Sequence, residues 1–215
     1  TLGGVYQSVM PLKIEGAAEQ AEVAYQTAGT LAPSSPAIPF TLAQLDIAAA
    51  EYESAETRLL EAITLKRDYT QAILLYSQLQ VQLGKATEAL QAVEAAIYFA
   101  PNDPAALFQA GVLRLGTNDR PGAIQAFGRA VELNPRYANA RFFLAVAHAV
   151  SGDTASAVTE LEAVAALSEE NATAVAADLA ALREGKNPYP LARLRTLGIP
   201  YPPVAEPEPT TDVAE

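Results

Sequence analysis

The chain has no cysteine and no tryptophan, and 215 residues include only one histidine and one methionine. Without cysteine there is no disulfide framework, no thiolate metal site and no thiol nucleophile; the compartment stays open, since such a chain suits the cytosol and the cell exterior equally. A lone histidine, His148, supplies no paired imidazoles, and the sequence holds no glycine-rich phosphate loop and no metal-ligand spacing. Positive charge is scarce too: 14 Lys and Arg against 25 Asp and Glu leave a net charge of −11 and a pI near 4.6. That balance lacks the electrostatic footprint of a nucleic-acid binder or of a protein held to an anionic membrane. No apolar run reaches the roughly 18 residues that span a bilayer as a helix, and no basic stretch precedes an apolar core at the start. Direct membrane insertion by this chain is therefore not expected. It begins at Thr1 rather than Met, from which a leader, a membrane segment or a larger precursor upstream is expected.

What is present is small and apolar. Half of the residues are hydrophobic, alanine is abundant, and small side chains favour closely stacked helices over a sheet. The chain is also self-similar. Pro101 stands 34 residues before Pro135, and the flanking text agrees, "AAIYFAPNDPAALFQAG" beside "RAVELNPRYANARFFLA". The frame extends to four contiguous units, 36–69, 70–103, 104–137 and 138–171. Gly111 and Ala123 fall where two helices of a hairpin would cross, and only a small side chain allows that approach. Phe127, Val93 and Leu161 are the bulky knobs between hairpins. Asn134-Pro135 and Ala100-Pro101 would end the second helix of a unit. Asp103-Pro104 and Ser35-Pro36 would restart the chain as a capping residue followed by proline.

A period of 34 with this residue order resembles the tetratricopeptide repeat (TPR). Unit 104–137 carries Leu107, Ala110, Gly111, Ala123, Phe127, Ala130 and Pro135, and unit 70–103 carries Ile73, Tyr76, Ser77, Ala89, Val93, Ala96 and Pro101. The outer units match less fully, through Arg141, Leu144, Ala145, Ala157, Leu161 and Val164 in one and Leu42, Ala43, Ala55, Leu59 and Ala62 in the other. The resemblance implies an all-α, right-handed solenoid of stacked antiparallel hairpins. It also implies a non-catalytic scaffold that binds protein partners and needs no cofactor or metal.

Both ends depart from the repeat. Within 1–35, residues 16–30 read as the second helix of an incomplete unit. Its first helix is cut short and is followed by an insertion of about six residues relative to the repeat length. Residues 172–185 read as a lone first helix stopped at Gly185, with no second helix after it. From 186 to 215 the chain is proline-rich, with seven prolines in the last 28 residues, a composition that favours extended conformations and builds no core of its own. Yet Leu191, Leu194, Leu197, Ile199, Tyr201 and Val204 are too apolar for a linker. They read as a docking segment, either on the chain's own solenoid or on a neighbouring copy. Head-to-tail self-association into a ring or filament is one reading of these ends; simple capping helices are the other.

Projecting the first helices places Phe40, Gln44, Leu74, Gln78, Phe108, Gln109, Val112, Phe142, Phe143 and Val146 toward the concave groove. That face is apolar with a few amides. It lacks the lysine, asparagine and arginine of the TPR subclass that clamps C-terminal carboxylates, so an extended apolar or proline-rich segment is the expected ligand, the chain's own tail included. The alternative for each side chain is packing between helices. His148 is assigned to packing, and Glu160, Glu162, Glu169 and Glu170 to solvated helix surface. Asn171 opens an Asn-Ala-Thr triplet and is a candidate N-glycosylation site, with Thr210 and Thr211 candidates for O-glycosylation.

A second resemblance concerns origin. "VYQSVMPLKIEGAAEQAEVAYQTAGTLAPSSPAI" and "AEYESAETRLLEAITLKRDYTQAILL" are similar to the C-terminal TPR region of bacterial O-antigen ligase-like membrane proteins. It implies an extracytoplasmic or cell-surface location and an upstream part that supplies the missing first helix.

Overall fold

Once every 34 residues the backbone turns through a positive φ, at Ala50 (61°), Gly84 (75°), Asn118 (65°) and Gly152 (86°). The next N–H then closes a bond to the carbonyl five residues back: Glu51 to Asp46, Lys85 to Gln80, Asp119 to Arg114 and Asp153 to His148, all at 2.8–2.9 Å. A left-handed residue with this closure satisfies the last carbonyls of one helix and lets the next begin at once. This turn sets the hairpin.

The computed structural model describes residues 17–200. In order, these form α1 (Ala17–Leu31), α2 (Ala37–Ala48), α3 (Tyr52–Leu65), α4 (Thr70–Gln82), α5 (Ala86–Phe99) and α6 (Pro104–Gly116). Beyond them come α7 (Arg120–Leu133), α8 (Ala138–Val150), α9 (Thr154–Ala165), α10 (Glu169–Arg183) and the short α11 (Leu191–Thr196). No strand occurs among the described residues. The hairpins α2–α3, α4–α5, α6–α7 and α8–α9 are joined through α3 against α4, α5 against α6, and α7 against α8, with α1 and α10 packed on the two outer hairpins. Almost every contact is with the next element, which is the signature of a solenoid.

Side-chain size decides how close each pair lies. A Cβ added to Gly111 would come within 2.5 Å of the Phe127 ring, so α6 and α7 meet only because position 111 has none. Phe127, Val93 and Leu161 are fully buried, in keeping with their reading as knobs. Helix starts reflect local chemistry: Asp103 accepts from Ala105 N–H at 2.9 Å, and Asp119 and Asp153 accept from Gly122 and Ser156 at 3.0 and 3.1 Å. Ser35-Pro36 departs from expectation, because Pro36 itself occupies the cap and no side chain caps α2.

The two ends differ from the sequence reading. α1 covers Ala17–Leu31, over the stretch 16–30 read as a second helix, while the expected truncated helix and insertion lie outside the described residues. At the other end the helix expected to open at 172 begins at Glu169, because the Ser168 hydroxyl accepts the Asn171 N–H at 3.1 Å and two glutamates occupy the first turn. The expectation of no further helix fails as well, since α11 comes after Gly185. The segment around α11 also shares the core: the largest buried cluster runs from Leu107 through α7–α10 and takes in Tyr189, Leu194 and Ile199.

Candidate functional site

The returning segment is held by a buried carboxylate. Val175, Asp178, Leu179 and Leu182 form the buried stripe of α10, so its helical phase sends one acid inward with the apolar residues. Asp178 is only 3 % exposed, and all its partners come from the tail. Arg193 donates from Nη1 to Oδ1 at 2.6 Å and from Nη2 to Oδ2 at 2.8 Å, while the Tyr189 hydroxyl donates to Oδ2 at 3.0 Å. Arg193 Nη1 also reaches the Pro188 carbonyl at 3.0 Å, and its guanidinium lies 5.0 Å from the Tyr189 ring centre. A planar, two-pronged donor over an aromatic face is the geometry arginine favours for a carboxylate. Tyr189 packs edge-on against Phe142 at 6.1 Å. Burial first, and the Asp178 charge second, push its phenol far above the ordinary value.

The tail residues singled out from the sequence therefore divide. Leu194 and Ile199 are buried and Leu197 half-buried against this chain's own core, which is the first of the two alternatives read for this docking segment and not its use as a self-association contact: their apolar surface is already spent. Leu191 is exposed. Tyr201 and Val204 lie outside the described residues.

The groove residues divide in the same way. Phe142 and Phe143 lie against each other at 5.6 Å beside Tyr189, and Phe143 meets Phe108 at 5.4 Å and Phe127 at 5.8 Å. Val146 corrects the groove assignment outright: it is fully buried between Ala145 and Ala147, because α8 packs against α6, α7 and α9 at once. Phe40 rests on Tyr69 at 5.2 Å and Gln44 is exposed, both on α2 at the far end.

The remaining five come together. Leu74 and Gln78 on α4, and Phe108, Gln109 and Val112 on α6, line an open cavity of about 540 Å³. Val81, Gln82 and Tyr137 complete its walls, and Gly198 and Pro200 of the tail form one edge. No lining side chain is charged. Gln109 is fixed in place: its amide donates to Ser77 Oγ at 3.0 Å, and that buried hydroxyl donates to the Ala89 carbonyl at 2.8 Å. Tyr137 stands 5.4 Å from Phe108, and burial, helped by Asp103, raises its phenol. The surface offered is aromatic and aliphatic, with amide hydrogen-bonding groups.

Elsewhere the polar residues serve the helices. His148 Nδ1 lies 3.3 Å from Asp153 Oδ2, across the turn that Asp153 caps. Hydrogen bonds from Ser156, and then the histidine, hold the Asp153 carboxyl below its usual range. Glu160 is not solvated surface as expected: it pairs with Arg141 at 2.8 Å, both four-fifths buried, and links α9 to α8. Glu162 pairs with Arg183 at 2.7 Å, while Glu169 and Glu170 are exposed. Asn171 is half-buried in the first turn of α10, and Thr210 and Thr211 lie outside the described residues. Among the described residues no helix is long and apolar enough to cross a membrane, and no cluster of His, Asp and Glu could hold a metal ion.

A stack of helix hairpins with an uncharged cavity between α4 and α6 defines a helical-repeat scaffold of the kind that binds other proteins. The family model for the tetratricopeptide repeat matches residues 40–104 and 108–175, and the chain belongs to that family. No curated protein matches the sequence. Solved structures do: the crystal structure of MamA is 16 % identical over 80 % of this chain and 98 % of its own, with a TM-score of 0.69. YrrB, described as a TPR protein with an unusual peptide-binding site, is 18 % identical over 80 % of this chain and 88 % of its own, at a TM-score of 0.65. A tetratricopeptide repeat protein from Parabacteroides merdae is 18 % identical over 92 % of this chain and 82 % of its own, also at 0.65. At such identities the likeness is one of fold.

Proposed function

We propose that the protein is a non-catalytic adaptor that receives an extended, uncharged peptide, apolar or proline-rich, in the open part of its groove. The observation that carries this is the 540 Å³ cavity between α4 and α6, with aromatic and aliphatic walls and amides placed to meet a peptide backbone. Proline-rich segments dock on such aromatic-lined surfaces because they are already extended and lose little entropy. The peptide-binding site named for YrrB supports the reading by analogy of fold. Calorimetric titration with a proline-rich hexapeptide tests it. Val112→Arg, in the wall of the cavity, is expected to weaken binding at least tenfold, and a protein that takes up no such peptide either as wild type or with Tyr201 and Val204 replaced by serine would refute it.

A second reading, head-to-tail self-association, draws on the outer end of the solenoid. Val23 is 52 % and Leu31 83 % exposed on α1, an apolar surface suited to another copy. Sedimentation velocity on the wild-type chain and on Leu31→Glu tests it: a concentration-dependent mass that the substitution abolishes supports assembly, and a monomer throughout refutes it. The extracytoplasmic placement, as an accessory region of a bacterial envelope glycan-assembly membrane protein, rests on the sequence resemblance alone.

A further inference from the structure

The groove cavity is bounded at one edge by the chain's own tail, and the tail does not stop there. Pro200 rests on the last residue of α6: a Cβ at Gly116 would come within 2.9 Å of the Pro200 carbonyl oxygen and 3.0 Å of its ring. Gly198 and Pro200 both line the cavity, so the peptide bond to Tyr201 leaves directly from its wall. The next four residues are Tyr201-Pro202-Pro203-Val204, two large apolar side chains flanking two prolines. We propose that Tyr201–Val204 occupies the open groove in cis, running along α6 from Gly116 toward Ala105, and must leave before a peptide from another protein can bind. This rests on the groove being a peptide site.

Dimensions and chemistry agree with that occupant. The α6 backbone from Gly116 back to Ala105 covers eleven residues, about 16 Å at helical rise. Four residues in polyproline geometry span about 12 Å, which fits without a turn. Pro202 and Pro203 have no backbone N–H, so this stretch presents mainly carbonyl acceptors. The exposed amides of Gln78 and Gln82 are the donors facing it. Phe108 and Tyr137, 5.4 Å apart, supply the aromatic surface that proline rings and Tyr201 pack on. The cavity wall carries no charge, and the first acidic side chain of the tail, Glu206, comes two residues after the occupant ends. The latch of Asp178 with Arg193 and Tyr189 holds the start of this segment, so residues 201–204 remain at high local concentration whether bound or not.

The test uses the full chain with Tyr201→Ser and Val204→Ser together, which keeps the chain length and touches no buried residue described above. Two readouts are taken: backbone amide resonances, and affinity for the synthetic peptide acetyl-YPPVAE-amide. Occupancy in cis requires the amides of Gln78, Gln82 and Val112 to shift while those of α3 stay fixed. With a tether supplying an effective concentration of about 1 mM and a peptide dissociation constant of about 0.1 mM, the substituted chain binds the peptide about tenfold more tightly than wild type. Groove amides that coincide in the two chains overturn the proposal, even if the peptide binds both equally, in which case the adaptor reading stands alone. Shifted amides with no peptide uptake by either chain uphold the cis contact and remove the adaptor reading.

Discussion

Arg193 grips Asp178 with both terminal nitrogens, at 2.6 and 2.8 Å, and in doing so joins a six-residue helix of the tail to the last long helix of the solenoid. The carboxylate is buried and the guanidinium side chain 38 % exposed. The pair thus faces water from one side only.

Replacing Arg193 by alanine leaves Asp178 buried with Tyr189 as its remaining partner. An uncompensated buried charge costs about 3–5 kcal/mol; the lower end, about 3 kcal/mol, is expected because Arg193 is partly solvated. The loss should be local. Amide hydrogen exchange should accelerate at Leu194 and Ile199 and stay unchanged in α4 and α5, and unchanged protection at Ile199 would contradict the latch.

Alkaline pH should release the same segment. Tyr189 has its folded value raised, so its contribution is complete below the unfolded phenol value of about 10 and is lost as pH climbs above it. Burial also raises Tyr69, Tyr76 and Tyr137, so the wild-type titration is a sum. Subtracting a Tyr189→Phe titration, monitored by tyrosinate absorbance, should isolate the Tyr189 phenol, ionising above the ordinary phenol range and together with loss of tail protection.

Gly116→Ala sets two effects against each other. Alanine within a helix is favoured over glycine by roughly 0.5–1 kcal/mol, but here its Cβ would meet the Pro200 backbone at 2.9 Å. The expected outcome is an intact α6–α7 hairpin with Pro200 displaced. It is read as resonance changes at Gly198 and Ile199 without a drop in the melting temperature.

Ala50 occupies at φ 61° the turn position that Gly84 and Gly152 fill in sister repeats. A left-handed backbone costs an L-residue about 1–2 kcal/mol, partly offset by the greater entropy glycine loses on folding. Ala50→Gly should stabilise the first hairpin by about 0.5–1 kcal/mol, measured by chemical denaturation. A loss of stability would show that the turn is not strained.

The repeat frame was legible because its signals are local: a proline at the end of a second helix, a small residue at each crossing, an aspartate opening a first helix. Helical phase alone brings Leu74, Gln78, Phe108, Gln109 and Val112 to one face, and they line one cavity. Val146 could not, because its burial depends on three neighbouring helices, and helical phase within one helix reports none of them. Asp178 was legible in principle, as the one acid on the stripe Val175, Leu179, Leu182. Its partners lie eleven and fifteen residues downstream, in a segment whose prolines argued for extended backbone and whose leucines and isoleucine argued for docking on an unspecified surface. Apolar content marked Leu194 and Ile199 for docking, but neither the surface they meet nor the part of Tyr189 is encoded locally, because both depend on where α8 and α10 lie in space.

The path of the tail has a mechanical consequence. It touches Asp178 on α10, Phe142 on α8 and Gly116 on α6, the first helices of three successive repeat units. Solenoids deform like springs, by small rotations summed over their repeats. A strap fastened across three coils stiffens that half against stretching and bending. Among the described residues the coils built from α2–α5 carry no such strap, so compliance should be concentrated in the N-terminal half, and a load on the protein would open it there first.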